Sequence, residues 1–128
     1  MKKLLVKGGK KLTGTIDISG SKNAALPILA ATVLSNKKII LENIPIVKDV
    51  ETMINLLNNI GSDIKIKKKT IQINNKKKLK QFAPYNLLKT MRAGVLLLGP
   101  LLTRYKKAKI SLPGGCAIGS RPVNLQLE

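Results

Sequence analysis

Residues 11–19 set Leu12, Gly14, Ile16 and Ile18 against Thr13, Thr15, Asp17 and Ser19. That period of two is the pattern of a strand. Gly20-Ser21-Lys22-Asn23 breaks it, and the Ala- and Leu-rich residues 24–34 predict a helix with Pro27 near its first turn. Residues 38–43, carrying Ile39, Ile40 and Leu41, predict a strand. Asp49 suits the N-cap of a second helix that puts Val50, Met53, Ile54 and Leu57 on one face, with Gly61 to close it. Residues 63–67 and 70–74 alternate Ile with polar residues and predict two short strands paired as a hairpin. The order is strand, helix, strand, helix, strand, strand, which makes a compact βαβαββ unit of the α/β (α+β) class.

After a polar connector, residues 75–81, the pattern restarts. Residues 87–102 predict an apolar helix buried on most sides and interrupted near Gly99-Pro100. A short strand over 109–112, a glycine-rich loop over 113–120 and the start of a helix over 122–128 follow. Pro122 fits the first position of that last helix. The expectation is one complete unit and part of a second, the front of a longer protein.

Composition narrows the function classes. The chain has 128 residues, 24 Lys plus Arg against 6 Asp plus Glu, no His and one Cys. An internal disulfide, a Cys-rich zinc site and a Ser-His-Asp triad are excluded. The longest apolar stretch, residues 93–102, is about half of a membrane span. At the N-terminus Leu4-Leu5-Val6 is too short for a signal-peptide core. The expectation is a soluble cytoplasmic protein with no membrane partner.

A net charge of +18 invites a nucleic-acid reading. However, 21 Lys, 15 Ile and 10 Asn together exceed a third of the chain, the bias an A+T-rich coding sequence leaves at permissive positions. Phe82, Tyr85 and Tyr105 are the only aromatic residues and none lies in a Lys run, so platforms for base stacking are scarce. No nucleic-acid partner is expected; a small basic nucleic-acid-binding protein is the weakest of the alternatives. The scarcity of arginine is more useful. A lysine cannot grip a carboxylate or phosphate with a planar fork, so Arg92, Arg104 and Arg121 draw attention.

Three places carry candidate chemistry. Gly20-Ser21-Lys22-Asn23 joins a strand to a helix, and the free N–H groups of a helix start beside a lysine suit a phosphate or carboxylate. The spacing is not that of a Walker A loop. In residues 112–122, LPGGCAIGSRP, Cys116 lies between glycines with Arg121 five residues on. A neighbouring cation lowers a thiol's pKa, so such a group can serve as proton donor or nucleophile, whereas a lone cysteine is otherwise a small core residue. Lys89 and Arg92, three residues apart, share one face of the apolar helix, where they could equally be its polar edge.

SGSKNAALPILAA (residues 19–31), APYNLLKTMRAGVLLLGPLL (83–102) and LPGGCAIGSRPVNLQLE (112–128) resemble the N-terminal part of the UDP-N-acetylglucosamine 1-carboxyvinyltransferases. The resemblance runs over essentially the whole chain. The sister family, the 5-enolpyruvylshikimate-3-phosphate synthases, shares fold and chemistry but is not expected to carry the Cys116 loop. The resemblance implies repeated βαβαββ units in two domains, an inside-out α/β barrel, with the active site between the domains. Residues 1–21 would be an opening strand belonging to the distal domain, and residues 22–128 the first part of the substrate-binding domain.

The implied reaction moves the enolpyruvyl group of phosphoenolpyruvate to the 3-hydroxyl of UDP-N-acetylglucosamine and releases phosphate, the first committed step of peptidoglycan synthesis. It implies small-molecule substrates and neither cofactor nor metal. Lys22 and Asn23 match the phosphoenolpyruvate site, and Cys116 matches the proton donor. Arg92, Arg121, Pro122, Val123, Asn124 and Leu125 match contacts to the sugar nucleotide. Arg104 falls outside the motifs and is expected to be an ordinary surface residue. The carboxylate that deprotonates the sugar hydroxyl would lie outside these residues, so 128 residues alone are expected to be inactive. A non-catalytic remnant of the same enzyme is the alternative.

Overall fold

The computed structural model describes residues 3–83 and 92–110. Helix α1 spans Lys22–Ala31 and continues as a 3-10 turn, Thr32–Leu34. It starts two residues before the predicted helix. Pro27 is therefore its sixth residue rather than part of the first turn, and the carbonyl of Asn23 loses its regular donor. Pro27 itself is exposed, while Ala25, Leu26, Leu29 and Ala30 form the buried face. Strand β1, Ile39–Leu41, follows.

Helix α2, Lys48–Ile60, buries Val50, Met53, Ile54, Leu56, Leu57 and Ile60 on one side. Its N-cap is Val47, which makes no side-chain cap hydrogen bond. Asp49 thus lies inside the first turn, with Glu51, and not at the cap; both carboxylates sit where the helix dipole favours negative charge. Gly61 ends the helix as expected, at φ +110°. The Gly61 N–H donates to the Asn58 carbonyl and the Ser62 N–H to the Leu57 carbonyl, both at 3.0 Å. That pair is a Schellman closure, and it requires the left-handed backbone that glycine adopts without penalty.

Strands β2 (Asp63–Lys67) and β3 (Thr70–Asn74) form the predicted hairpin. The sheet order is β1-β3-β2 and both pairings are antiparallel, with Ile39 and Ile64 opposite Ile73, and Leu41 and Ile66 opposite Ile71. These isoleucines and Leu41 share one face, and Ile71 and Ile73 at its centre are fully buried beneath the helices. Each such side chain contributes about 1.5–3 kcal/mol by leaving water.

The described part of the second unit adds to the same core. Residues Phe82–Ala83 (β4) and Lys109–Ile110 (β5) pair in parallel. Strand β4 was not legible in the sequence beyond one clue, the extended bias of a residue before proline, here Ala83 before Pro84. A 3-10 segment, Arg92–Leu97, runs into α3, Leu98–Tyr105. The apolar stretch changes character at Leu97, ahead of Gly99-Pro100. Pro100 becomes the third residue of α3, where a helix needs no N–H donor. Leu97 and Leu101 join Leu29, Val33, Met53, Ile60 and Leu79 in one continuous core.

Arg104 departs from expectation. Its Nη1 donates to the carbonyls of Val33 (2.7 Å) and Ser35 (3.1 Å), and its Nη2 to the carbonyl of Asn75 (3.1 Å). The guanidinium also lies 5.2 Å from the centre of the Tyr105 ring. Nearby, buried Asn75 donates from Nδ2 to the Thr32 carbonyl at 2.8 Å, and the Leu79 N–H donates to the Tyr105 hydroxyl at 3.1 Å. The planar fork flagged by composition holds backbone, joining α3 to the end of the first unit.

Residues 11–19 form no strand. Leu12, Ile16 and Ile18 are 92%, 83% and 82% exposed. Leu4, Leu5 and Val6 are similarly open. The alternating pattern is present in an extended chain, but no described strand pairs with it, and a strand without a ladder partner is only an extended segment.

Candidate functional site

The loop before α1 rests on the segment that follows β1. Asn43 has a left-handed backbone, φ +54°, and its Nδ2 donates to the Ile18 carbonyl at 3.3 Å. A Cβ added to Gly20 would lie 1.9 Å from the Asn43 carbonyl oxygen. Gly20 is therefore fixed by close approach, since any side chain there would push the two backbones apart. The chain then enters α1 through Ser21, whose carbonyl accepts the Ala25 N–H at 2.9 Å.

The two helix starts differ. Helix α2 has Asp49 and Glu51 in its first turn. Helix α1 has neither an acidic residue there nor a side-chain hydrogen bond from its N-cap Ser21. No described side chain caps its leading N–H groups, and Lys22 and Asn23 beside them are exposed. Unsatisfied N–H donors, a helix dipole and a cation at one point suit a phosphate or carboxylate. Lys22 Nζ donates to Asp49 Oδ2 at 2.9 Å across the two starts. Both side chains are nearly half exposed, at 48% and 41%, so the pair contributes at most about 1 kcal/mol to stability.

Of the residues singled out in the sequence, Lys22 and Asn23 are adjacent at the start of α1. The backbone of Arg92 opens the 3-10 segment that precedes α3. Lys89, Cys116, Arg121, Pro122, Val123, Asn124 and Leu125 lie outside the described residues. Sequence reasoning missed Asn43 and Asp49 as neighbours of the loop. An asparagine just past a strand is a common left-handed residue, a usable clue for Asn43. Asp49 reads locally as a cap, because nothing nearby in the sequence reveals a partner 27 residues away. Among the described residues no three His, Cys, Asp or Glu side chains gather as a metal site.

Over residues 6–128 the chain matches the family of EPSP synthase (3-phosphoshikimate 1-carboxyvinyltransferase), and it belongs to that family. Within it, the chain is 65% identical over all its 128 residues to a UDP-N-acetylglucosamine 1-carboxyvinyltransferase of Pelagibacter ubique, covering 31% of that protein. It is 52% identical, again over its whole length, to the Acinetobacter guillouiae protein of the same name, covering 30% of it. The chain thus spans under a third of the length of these relatives. The enolpyruvyl transferase NikO from Streptomyces tendae superposes with a TM-score of 0.65 at 20% identity, over 77% of this chain and 23% of that one. That likeness establishes the mixed helix-and-strand fold as the enolpyruvyl transferase fold. No described helix is long and apolar enough to cross a membrane.

Proposed function

We propose that this chain supplies part of a UDP-N-acetylglucosamine 1-carboxyvinyltransferase, transferring the enolpyruvyl group of phosphoenolpyruvate to the sugar 3-hydroxyl in the cytoplasm. The observation that carries the reading is 65% identity over the full chain to a relative of that name. The open, cationic start of α1 supports it, since phosphoenolpyruvate is a compact anion bearing a phosphate and a carboxylate.

In this reading Lys22 offsets the substrate's negative charge and Asn23 hydrogen-bonds it. The Cys116 thiol gives its proton to C3 of phosphoenolpyruvate while the sugar 3-oxygen bonds to C2. A carboxylate outside this chain accepts the hydroxyl proton. The tetrahedral adduct then loses a proton from C3 and expels phosphate, restoring the double bond. Protonation at C3 builds positive charge at C2, so donor and acceptor have to be held within about 3–3.5 Å and away from water. Arg92, Arg121, Pro122, Val123, Asn124 and Leu125 hold the sugar nucleotide. Residues 1–21 pack as a strand in the second domain, and the exposed Leu12, Ile16 and Ile18 support that assignment.

The test joins these 128 residues to the remainder of the Pelagibacter ubique relative and measures phosphate release with both substrates. The joined chain should turn over, and Cys116→Ser should lower kcat by about a hundredfold or more, the contribution expected of a general acid. A joined chain without turnover, or a Cys116→Ser variant at full rate, would refute the assignment.

A further inference from the structure

We propose that Asp49 and Asn43 are positioning residues for the Lys22-Asn23 loop, Asp49 orienting the Lys22 ammonium and Asn43 fixing the backbone behind it. The inference deepens the reading above and rests on this loop being the phosphoenolpyruvate site.

The chain holds 24 cationic side chains and 6 acidic ones. Among the described residues a single ion pair forms, and it falls on Lys22. The two partners come from the first turns of α1 and α2, 27 residues apart, which are brought side by side by the packing of those helices. The field of α2 favours the carboxylate where it stands, because Asp49 belongs to that helix's positive end. An ammonium has three donors. Asp49 accepts one at 2.9 Å, leaving two for an incoming anion. A long, freely rotating side chain is thereby biased toward one direction before substrate arrives, which lowers the ordering cost of binding.

Asn43 acts on the backbone. Its Nδ2 donates to the Ile18 carbonyl, and its own carbonyl sits against Gly20 closely enough to exclude a Cβ. The loop is held at Ile18 and Gly20, directly before the Lys22 ammonium that Asp49 holds. A dipole-only role for Asp49 makes a different prediction. In that case its loss would alter α2 stability, which Glu51 partly sustains, and leave substrate binding alone.

The joined chain described above distinguishes these cases. Asp49→Asn should raise KM for phosphoenolpyruvate about two- to threefold with KM for the sugar nucleotide unchanged, and Asp49→Glu should recover most of the loss. Asn43→Gly, which keeps the left-handed backbone but removes the donor, should move the same constant in the same direction by a smaller factor. An unchanged KM for phosphoenolpyruvate in Asp49→Asn, or an equal rise in both constants with a lowered Tm, would overturn the proposal. If the unsubstituted joined chain is inactive, the functional reading fails by itself. The positioning claim is then decided on the 128-residue chain by NMR. Asp49→Asn should shift the Lys22 side-chain resonance and the Gly20–Asn23 amides, and their invariance would overturn it.

Discussion

Arg104 and Lys22 are two cations held by oxygen, and they serve opposite ends. Arg104 reaches three backbone carbonyls on two segments of the first unit and stacks near Tyr105. Each of its bonds replaces one that water would otherwise make in a partly buried junction. Lys22 meets a single carboxylate, with both side chains almost half in solvent. The first arrangement is rigid and multiply determined, as a junction between units requires. The second leaves donors free at an uncapped helix start, as a binding site requires. The contrast separates a cation that holds the fold from one the fold holds out to solvent.

The sharpest way to break the contrast is at the junction. Arg104→Ala leaves the carbonyls of Val33, Ser35 and Asn75 without their charged donor and should destabilise the chain by about 3 kcal/mol. Arg104→Lys should recover less than half of that loss, since one ammonium cannot reproduce a planar fork spread over three acceptors. Urea unfolding of the three proteins measures both values. A loss near zero in Arg104→Ala would place Arg104 back among ordinary surface residues.

That junction also marks where sequence reasoning stopped. Periodicity located α1, α2 and the β2–β3 hairpin, because a buried face repeats at a spacing visible within a dozen residues. Gly61 was legible as a helix terminator for the same local reason. The strand expected over 11–19 failed on the other half of strand formation, which is a partner, and alternation carries no information about one. The scarcity of arginine correctly raised Arg104, and the absence of a motif wrongly lowered it. Its acceptors are backbone carbonyls, which leave no trace in residue identity. For the candidate site, Lys22 and Asn23 were legible from the loop, while Asp49 and Asn43 depend on how β1 and α2 return to it.

An intermediate effect is expected at Gly20. A methyl group there would meet the Asn43 carbonyl oxygen at 1.9 Å, so something has to move. The core has no reason to yield, because the segment before Gly20 is exposed and peels away first. Gly20→Ala should therefore cost only about 1 kcal/mol in global stability, the strain being relieved locally. The displacement should appear instead as shifted amide resonances confined to residues 18–23 and 43. A loss as large as that of Arg104→Ala would mean the loop is part of the core and would erase the distinction between the two regions.

The smallest effect is the most discriminating. Lys22→Ala and Asp49→Asn, singly and together, form a double-mutant cycle on the one ion pair among the described residues. With side chains 48% and 41% exposed, solvent screens the attraction, and holding two flexible side chains together has an entropic cost. The coupling energy should be about 0.5 kcal/mol or less in urea unfolding and should shrink further in added salt. Loss of Asp49 charge from the start of α2 adds a few tenths of a kcal/mol of its own, which the cycle subtracts as a single-site term. A coupling of about 2 kcal/mol or more would make the pair a structural tie like Arg104 and would remove the contrast between the two cations. A small coupling leaves the fold indifferent to Lys22, and a residue to which the fold is indifferent is free to be used by a ligand.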